Sequence, residues 1–355
     1  MTQEVRYGVI GTGMMGIEHI ESIAAIDGAM VTAISDPDAT SRHMGQQASG
    51  ISDEAVFVGH TELLASGLVD AVVLVSPNHT HAAILHDIIE SGLHFLTEKP
   101  LCTTVEDALS VVEAAEGYAG VCWMGLEYRY KPPIARLIEE VSDGAVGEVK
   151  MVSIREHRFP FLPKVGSWNR FRRNTGGTLV EKCCHFFDLM NLMVGSKPVR
   201  VYASGAQDVN HLDEVHDGKI PDIIDNAFVI VDYANGARGL LDLCMFSEGS
   251  KNEQEISVVG SLAKVEAFVP ENFIRFSYRD GTSGAEIPVR DERITYAGLH
   301  EGASFLEHLD FLDAIRRATP PKVTLEEGFL SVAIGVAAHR SIDEQRPVLM
   351  SELVE

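Results

Sequence analysis

A glycine-rich turn near the start of the chain constrains the fold more than any other feature. An apolar run at residues 5–10 enters Gly11-Thr12-Gly13-Met14-Met15-Gly16, and an apolar stretch with helical spacing follows at residues 17–26. A second apolar run at residues 30–34 leads to Asp36. This succession predicts a strand, a tight turn, a helix and a second strand that ends in an acid, as in the first half of a Rossmann domain.

The spacing of the glycines gives each one a separate task in binding a dinucleotide. Gly11 permits the tight turn, Gly13 lets the backbone approach the pyrophosphate, and Gly16 lets the helix pack closely on the strand. The backbone amides of Met14 and Met15, at the start of the helix, are then expected to face the phosphates. The turn therefore predicts a dinucleotide site.

The acid at the end of the second strand indicates which dinucleotide is bound. Asp36 lies about twenty residues beyond Gly16, where a carboxylate can accept hydrogen bonds from both hydroxyls of the adenine ribose. The same carboxylate would repel a 2′-phosphate, so NAD is expected and NADP is less favoured. Arg42 is the one cation nearby, a turn and a half further on, and it keeps NADP open.

Alternating strands and helices continue beyond this unit. The β-branched run at residues 71–75 and the shorter run at 94–96 are typical of buried parallel strands. Ligands in such sheets bind just beyond the carboxyl ends of the strands. The residues at these ends, which we expect in the cofactor site, are Ser76, Pro77, Asn78, His81, Glu98 and Lys99.

Each residue at the strand ends also has an ordinary structural explanation. Asn78 suits a turn, His81 suits the start of a helix, and Glu98 with Lys99 could form a surface ion pair. An acid and a base at a strand end, before Pro100 and beside a nucleotide cleft, favour a functional role for that pair.

Beyond residue 126 the pattern changes to extended runs separated by turn signals. Strands are predicted at residues 149–156, 199–204, 226–233, 238–246, 255–259 and 264–268. Asn235-Gly236 indicates a hairpin, and helices are predicted at 300–318 and 325–345. We expect an α/β Rossmann domain at residues 1–126 and an α+β domain with a large, open, mostly antiparallel sheet at 127–355. The C-terminal helix is expected to pack back on the Rossmann domain.

A second cluster of titratable residues lies in the later half of the chain. Gly176-Gly177 permits a close approach of the backbone, and Glu181, His185 and Asp188 follow at helical spacing on one face. A buried, hydrogen-bonded histidine is the ordinary alternative for His185. Oxidation of an alcohol needs one group to receive the hydroxyl proton and another to stabilise the oxyanion, and Lys99 with His185 would supply both.

Composition limits the partners and the expected location. The 355-residue chain has a formal net charge of −23, whereas nucleic acids and anionic membranes bind clustered Lys and Arg. No apolar run approaches the roughly 20 residues of a membrane span, and no secretion signal is recognisable, so we expect a cytoplasmic protein. The five Cys lack metal-site spacing and are expected to be reduced. No metal is expected, because Glu181 and His185 have no third ligand at helical or hairpin spacing.

Four motifs, in their order and spacing, resemble those of the Gfo/Idh/MocA family, which includes glucose–fructose oxidoreductase and inositol 2-dehydrogenase. They are Gly11-x-Gly13-x-x-Gly16, Ser76-Pro77-Asn78-x-x-His81, Glu98-Lys99-Pro100, and Gly176-Gly177 followed by Glu181-x-x-x-His185-x-x-Asp188. The likeness runs almost from end to end. It implies a Rossmann domain joined to a domain built on a large open sheet, NAD(P)-dependent oxidation of sugars or cyclitols, and dimers or tetramers.

The resemblance also implies roles for individual residues. Lys99 corresponds to the family's catalytic lysine and His185 to its acid–base residue, and the peptide bond before Pro100 is expected to be cis. Glu181 stands where the family usually has Asp, and a carboxylate at that position would pair with Lys99 or a sugar hydroxyl.

Several other side chains are candidates for contact with the substrate, although a structural role explains each of them equally well. An aromatic platform with hydrogen-bond donors suits a pyranose or a cyclitol. Besides Lys99, Glu181 and His185, the candidates are Tyr128, His157, Trp168 and Arg170.

These observations lead to one functional hypothesis with two alternatives. We expect NAD-dependent oxidation of a secondary hydroxyl of a sugar, glycoside or cyclitol, in a homodimer or homotetramer that associates through the open sheet. One alternative is NAD-dependent cleavage of glycosides through a transient ketone. The other is a non-catalytic, nucleotide-binding regulator, which would need neither Lys99 nor His185.

Overall fold

The computed structural model describes residues 4–354, which form two compact units. The first unit comprises the chain up to Tyr130 together with residues 164–166 and 292–329. The second comprises residues 131–163, 167–291 and the chain from Leu330 onward. Each unit is therefore assembled from segments that are far apart in the sequence.

The first unit contains a six-stranded parallel sheet with helices between its strands. Its strands are β1 (Val5–Ile10), β2 (Ala29–Ser35), β3 (Val56–Phe57), β4 (Ala71–Leu74), β5 (His94–Glu98) and β6 (Cys122–Gly125). Its helices up to β6 are α1 (Met14–Ala24), α2 (Ala39–Ser49), α3 (His60–Ala65), α4 (His81–Ser91) and α5 (Val105–Ala114). The strand order in this sheet is β3-β2-β1-β4-β5-β6. From β1 the chain adds strands first on one side and then, from β4 onward, on the other, and ligands of open α/β sheets bind at this point, where the strand order reverses.

Burial explains why the central strands formed where the sequence predicted them. All four residues of β4 are fully buried, as expected for a strand covered by helices on both faces. Helix α1 begins at Met14, three residues before the predicted start at 17. The apolar spacing predicted the body of the helix but missed its first turn, because that turn begins with Met14, Met15 and Gly16, which are part of the glycine turn.

The second unit contains a nine-stranded mixed sheet. After α6 (Pro132–Ser142) come β7 (Val149–His157), α7 (Arg172–Thr175), α8 (Thr178–Glu181), α9 (Cys184–Val194), β8 (Pro198–Ala206), β9 (Asn226–Tyr233), β10 (Arg238–Cys244), β11 (Gln254–Gly260), β12 (Ala263–Val269), β13 (Phe273–Tyr278) and β14 (Ser283–Pro288). The chain ends with α10 (Ala303–Arg317), α11 (Leu325–Glu344) and β15 (Val348–Leu349). The sheet order is β14-β13-β12-β11-β7-β10-β9-β8-β15, and among these described strands only β7 and β10 pair in parallel.

The predicted fold class is confirmed: a Rossmann domain accompanies a domain with a large, mostly antiparallel sheet. The Asn235-Gly236 hairpin also forms between β9 and β10, with Gly236 at a φ of +84°. Strands β13 and β14 were missed, although Phe273, Ile274 and Phe276 give part of the first one a strand-like composition. No helix within residues 4–354 has both the length and the apolar character needed to cross a membrane.

Alternation along the strands of the second unit gives its sheet two different faces. In β9, Ala227, Val229 and Val231 are buried, whereas Phe228 and Ile230 between them are exposed. Helix α9 packs against β7 and α6 packs against β12, so the buried residues lie beneath helices. The opposite face is left without a helical layer in the described chain.

Helix α10 belongs to the first unit although it lies late in the sequence. It packs against α1, and its Phe311 meets Trp123 and Tyr7 edge-on in the core. The boundary between the units at residues 329–330 then falls within α11. Residues 292–329 are therefore part of the core that supports the glycine turn.

Candidate active site

The glycine turn of the first unit is held by backbone contacts that leave little room for side chains. The amide of Gly11 donates to the carbonyl of Ser35 over 2.8 Å, and Gly11 has a φ of +96°. A Cβ at Gly16 would collide with the carbonyl oxygen of Gly11. A Cβ at Gly13, by contrast, would find no atom of the described chain within 4 Å apart from Gly13 itself and its two neighbours along the chain. The loop is thus tightly packed behind Gly16 and open in front of Gly13.

Asp36 organises this turn from the end of β2. Its Oδ2 accepts the Thr12 amide at 2.8 Å, and its Oδ1 accepts the Asp38 amide at 2.8 Å. Nη1 of Arg42 donates to the Asp36 carbonyl at 2.6 Å and to the Pro37 carbonyl at 3.1 Å. The carboxylate keeps further lone pairs for a ribose, and the Arg42 side chain lies beside the same strand end.

The segment after β4 presents an amide group at the reversal point of the sheet. Asn78 is buried, and its Nδ2 has no hydrogen-bond partner within residues 4–354. Ser76 and Thr80 share a hydroxyl hydrogen bond of 2.6 Å. A buried amide without a partner is costly, so the Asn78 side chain is suited to a ligand at this edge.

His81 connects the ends of β4 and β5. Its Nδ1 lies 2.9 Å from the Pro100 carbonyl oxygen, and its Nε2 lies 3.0 Å from the carbonyl oxygen of Ser76. Burial lowers the pKa of the His81 ring, even though both carbonyls favour its protonation. The neutral ring carries one N–H and therefore donates to one of these two carbonyls, from a position between the two loops.

Glu98 and Lys99 stand at the carboxyl end of β5, and the Lys99–Pro100 peptide bond is cis, as the resemblance implied. The Lys99 amide donates to Oε2 of Glu98 at 3.0 Å, and Nε2 of His19 lies 3.1 Å from Oε1. Burial would raise the pKa of Glu98, but the hydrogen bond with His19 and nearby positive charge, including that of Lys99, lower it to about 2. Glu98 is therefore ionised and acts as a counter-ion in the same cluster as Lys99.

Two further buried carboxyl groups, those of Glu307 and Glu127, interact with this pair, and their pKa values are raised rather than lowered. Burial raises the pKa of Glu307 well above its ordinary value, and the charges of Glu127 and Glu98 raise it further. Burial and the charge of Glu98 likewise raise the pKa of Glu127. Nε1 of Trp123 donates to Oε1 of Glu307 at 3.3 Å. One ionised carboxylate is thus accompanied by carboxyl groups that favour the protonated form.

The second predicted cluster differs from the single helix expected for it. Glu181 ends α8 and His185 lies in the first turn of α9. Between them the regular α-helical hydrogen bonding is interrupted at Lys182 and Cys183, although both backbones keep right-handed helical angles. Both Glu181 and His185 are buried in the second unit, with exposed fractions of 5% and 2%. The four-residue spacing predicted a continuous helix because a short break leaves no mark in the apolar pattern.

His339 on α11 is a residue of this cluster that the sequence reading missed. Its Nε2 accepts the amide of Leu179 at 3.1 Å, and a Cβ at Gly177 would overlap the His339 ring. Burial lowers the pKa of His339 to about 3, so the ring is neutral and free to accept. Gly177 has a φ of +91°. The glycine pair thus makes room for a histidine that fixes the start of α8.

A buried ion pair holds the break between the two helices. Nζ of Lys182 lies 3.0 Å from Oε1 of Glu156 on β7, and Nε2 of Gln254 donates to Oε2 at 2.7 Å. Lys131 donates in turn to Oε1 of Gln254 at 3.1 Å. Burial would raise the pKa of Glu156, but the charges of Lys182 and Arg158 hold it below its ordinary value. Glu181 and His185 therefore flank a segment anchored to the sheet.

The remaining substrate candidates have structural partners. His157 Nε2 lies 3.0 Å from Asp242, and Nε of Arg170 donates to Glu214 at 2.9 Å. Trp168 is half-buried in the second unit. Tyr128 is buried in the first unit. The structure thus places Lys99 and Tyr128 in the first unit, and the second unit contains His157, Trp168, Arg170, Glu181 and His185.

The chain matches two family models. Residues 5–126 match the model described as the NAD-binding Rossmann fold of an oxidoreductase family, and residues 138–350 match the C-terminal alpha/beta domain of the same family. Together the two models account for most of the chain.

Curated relatives align over almost the full length. The chain is 28% identical to a myo-inositol 2-dehydrogenase of Thermotoga maritima over 353 residues, which cover 99% of this chain and all of the relative. It is 25% identical to an inositol 2-dehydrogenase of Rhizobium meliloti, covering 97% of this chain and 98% of the relative.

Solved structures share the fold. A levoglucosan dehydrogenase in complex with NADH has a TM-score of 0.86 at 20% identity, covering 98% of this chain and 99% of its own. An oxidoreductase domain protein from Kribbella flavida has a TM-score of 0.86 at 22% identity, covering 99% and 100%.

The first unit fits NAD by its own geometry. The open space at Gly13 and the first amides of α1, at Met14 and Met15, suit a pyrophosphate. The buried Nδ2 of Asn78 offers a donor, and the Asp36 carboxylate offers acceptors for ribose hydroxyls. These residues would hold the coenzyme at the reversal point of the sheet.

Two alanine substitutions in the glycine turn should have opposite effects. Gly16→Ala forces a methyl group against the Gly11 carbonyl and should lower the free energy of unfolding by about 1–3 kcal/mol in urea titrations. Gly13→Ala adds its methyl group to open space at an ordinary φ, so stability should change by no more than about 0.5 kcal/mol. NAD affinity, measured by calorimetry, should nevertheless fall in Gly13→Ala. Unchanged NAD affinity there would contradict the assignment of this space to the coenzyme.

Replacement of Glu307 should reveal its raised pKa as a pH-dependent stability. A carboxyl group whose pKa is raised on folding stabilises the protein below about pH 4.5, and this contribution is lost as the pH rises toward the folded pKa. Glu307→Gln removes this titration. The free energy of unfolding of the variant, minus that of wild type, should therefore rise with pH by up to about 1.4 kcal/mol per pH unit across that range. Urea titrations near pH 4.5 and pH 8.5 measure the difference. The exposed Glu139, changed to Gln, serves as the control and should show no such slope.

Proposed function

The chain belongs to the Gfo/Idh/MocA oxidoreductase family and has its NAD-binding Rossmann domain, and from that premise we propose that it oxidises a secondary hydroxyl of a cyclitol or sugar. The observation that carries the proposal is the position of Lys99. It follows β5, in the same sheet as the glycine turn after β1, and Glu98 beside it is an ionised counter-ion. The inositol dehydrogenases to which the chain is similar over its full length support a cyclitol or a related polyol as substrate.

The proposed chemistry divides proton transfer and charge stabilisation between two side chains. His185 receives the proton of the substrate hydroxyl, and the ammonium group of Lys99 stabilises the alkoxide that forms. Glu181 orients a neighbouring hydroxyl of the substrate or pairs with Lys99. Bound NAD supplies the acceptor for the hydride.

The structural support for His185 comes from the second unit. Its ring is buried on the first turn of α9, directly after the segment that Lys182 anchors to Glu156. His339 and the Gly176-Gly177 turn fix the preceding helix, α8. A proton acceptor gains catalytic value from such fixed placement, since a small displacement lowers the rate.

Loss of Lys99 or His185 should affect turnover much more than coenzyme binding. Lys99→Met and His185→Asn should each lower kcat by about 10²–10⁴-fold, because each removes a group needed mainly in the transition state. NADH absorbance with a panel of inositols, pyranoses and glycosides gives the rates, and calorimetry gives NAD affinity. Lys150→Met, at an exposed lysine on β7, is the control and should keep wild-type activity.

The same panel separates the proposal from the two alternatives. Accumulation of NADH with a free cyclitol or sugar supports a dehydrogenase. Release of the aglycone from a glycoside without net NADH would instead indicate glycoside cleavage through a transient ketone. NAD binding with no turnover of any compound would favour a regulator and would contradict the proposal.

The uncovered face of the large sheet supports association with a second copy of the chain. Tyr202, Ile230 and Leu240 lie opposite one another on β8, β9 and β10, and all three are exposed. Phe228, two residues from Ile230, is 60% exposed. The next cross-strand pair, Arg200 with Asp232, carries one positive and one negative charge. A second copy related by a two-fold axis can therefore place opposite charges against this pair. An apolar patch of this kind is typical of a protein interface.

A charge in the centre of this face should dissociate the assembly. Phe228→Glu would place a carboxylate in the apolar patch, so the mass measured by light scattering should fall from that of a dimer or tetramer to that of a smaller species. Val58→Glu, at an exposed apolar residue of the first unit, is the matched control and should leave the mass unchanged. A monomeric wild-type protein, or an unchanged mass in Phe228→Glu, would overturn the proposal.

A further inference from the structure

A line of three buried side chains ends at the carboxylate of Glu98. Nε2 of His308 lies 2.8 Å from Nδ1 of His19, and Nε2 of His19 lies 3.1 Å from Oε1 of Glu98. His308 belongs to α10, His19 to α1 and Glu98 to β5, all within the first unit. The exposed fractions are 1%, 0% and 5%. Neither histidine has a part in the reaction proposed above.

The chemistry of the three groups fixes the direction of the hydrogen bonds. The ionised Glu98 carboxylate can only accept, so Nε2 of His19 carries a proton and donates to it. Burial lowers the pKa of His308 well below its ordinary value, so that ring is neutral. Its Nδ1 has no hydrogen-bond partner within residues 4–354. A proton there would be a buried, unsatisfied donor, so the proton of His308 resides on Nε2 and is donated to His19.

The other oxygen of Glu98 acts on Lys99 directly. Oε2 accepts the Lys99 amide at 3.0 Å, which fixes the backbone from which the lysine side chain starts. The charge of Lys99 in turn contributes to keeping Glu98 ionised. One oxygen of Glu98 therefore accepts the hydrogen bond from His19, and the other accepts the backbone amide of Lys99.

Other charged groups act on Glu98 from the elements around it. His300, which precedes α10, favours the ionised form of Glu98. The charge of Glu98 in turn raises the pKa values of Glu127 and Glu307, which favour the protonated form. His300 also lies between Glu18 and Glu127, with its Nδ1 3.1 Å from Oε1 of Glu18. The Glu98 carboxylate accepts hydrogen bonds from the Lys99 amide and from Nε2 of His19. Of these two donors only His19 is a side chain, so its substitution tests the hydrogen-bond chain directly.

We infer that His19 and His308 are positioning residues for Lys99: they form a directed hydrogen-bond chain that keeps Glu98 ionised and in place. Without the donor at position 19, burial would dominate and Glu98 would take up a proton. Lys99 would then lose its counter-ion and one restraint on its backbone. The inference rests on the function proposed for Lys99, whereas the hydrogen-bond chain itself can be tested without substrate or coenzyme.

Paired substitutions separate the hydrogen bonds from the bulk of the side chains. His19→Gln keeps a donor and an acceptor, whereas His19→Leu keeps neither. We expect kcat to fall by about 10–100-fold in His19→Leu and by much less in His19→Gln, with NAD affinity retained in both. The pH profile of kcat should shift in His19→Leu only. His308→Gln and His308→Phe should repeat the pattern with a smaller loss. His60→Leu, which removes a histidine bonded to Asp87, is the control.

A double-mutant cycle tests whether the chain acts through Glu98. In Glu98→Gln the buried charge is absent, so adding His19→Leu should cause little further loss of kcat. This background also removes the unpaired buried carboxylate that could prevent His19→Leu from folding. An equally large loss from His19→Leu in both backgrounds would overturn the inference, as would equal losses in His19→Gln and His19→Leu.

Nuclear magnetic resonance supplies a readout that needs no activity. In protein with ¹³C-labelled glutamate and without coenzyme, the side-chain carbon of Glu98, assigned through Glu98→Gln, should report an ionised group at pH 5 in wild type and in His19→Gln. In His19→Leu it should report a protonated group. Nitrogen-15 shifts of the histidines should place the His308 proton on Nε2. A wild-type enzyme inactive toward every compound would end the dehydrogenase proposal alone; an ionised Glu98 in His19→Leu would overturn this one.

Discussion

The burial of one ionised carboxylate organises the first unit around the lysine. Glu98 lies at a strand end, where a charge is expensive to remove from water unless partners compensate it. The compensation comes from α1 through His19, from the backbone of Lys99 and from the charge of Lys99 itself. Because each partner belongs to a different part of the unit, the position of the strand end depends on the packing of α1 and α10 as well as on the sheet.

The second unit also contains a buried carboxylate whose charge is compensated, but by different groups. Glu156 is fully buried on β7, and Lys182 and Gln254 bond its two oxygens. Lys182 lies between Glu181 and His185, so the same ion pair that satisfies the sheet also sets the break between α8 and α9. In both units, then, a residue proposed to take part in the chemistry is adjacent in sequence to a buried charge that is fixed by long-range contacts. Such fixed surroundings are what preorganised catalysis requires.

Local patterns in the sequence were sufficient to predict the fold class and the local arrangement of some candidate site residues. The glycine turn, Asp36 and the strand ends at Asn78 and Lys99 were predictable because each depends on residues close together in the chain. The partners of Glu98 were not, since His308 lies 289 positions from the His19 to which it bonds. His339 was missed for the same reason. The break at Lys182 was missed because two consecutive helices with a short break between them have the same apolar spacing as one continuous helix. The roles of Lys99, Glu181 and His185 in the chemistry, and of Asp36 and Asn78 in holding the coenzyme, remain proposals.

The placement of α10 bears on whether the coenzyme-binding half of this protein could ever be inherited or engineered as a separable module. A fragment that stopped after β6 would contain the whole parallel sheet and the glycine turn. It would nevertheless lack Phe311 and His308, and so would expose Trp123 and Tyr7 and leave His19 without its donor. Recombination that exchanges only the first third of the gene would therefore produce an incomplete core. A transplant that retains its binding properties must bring residues 292–329 with it.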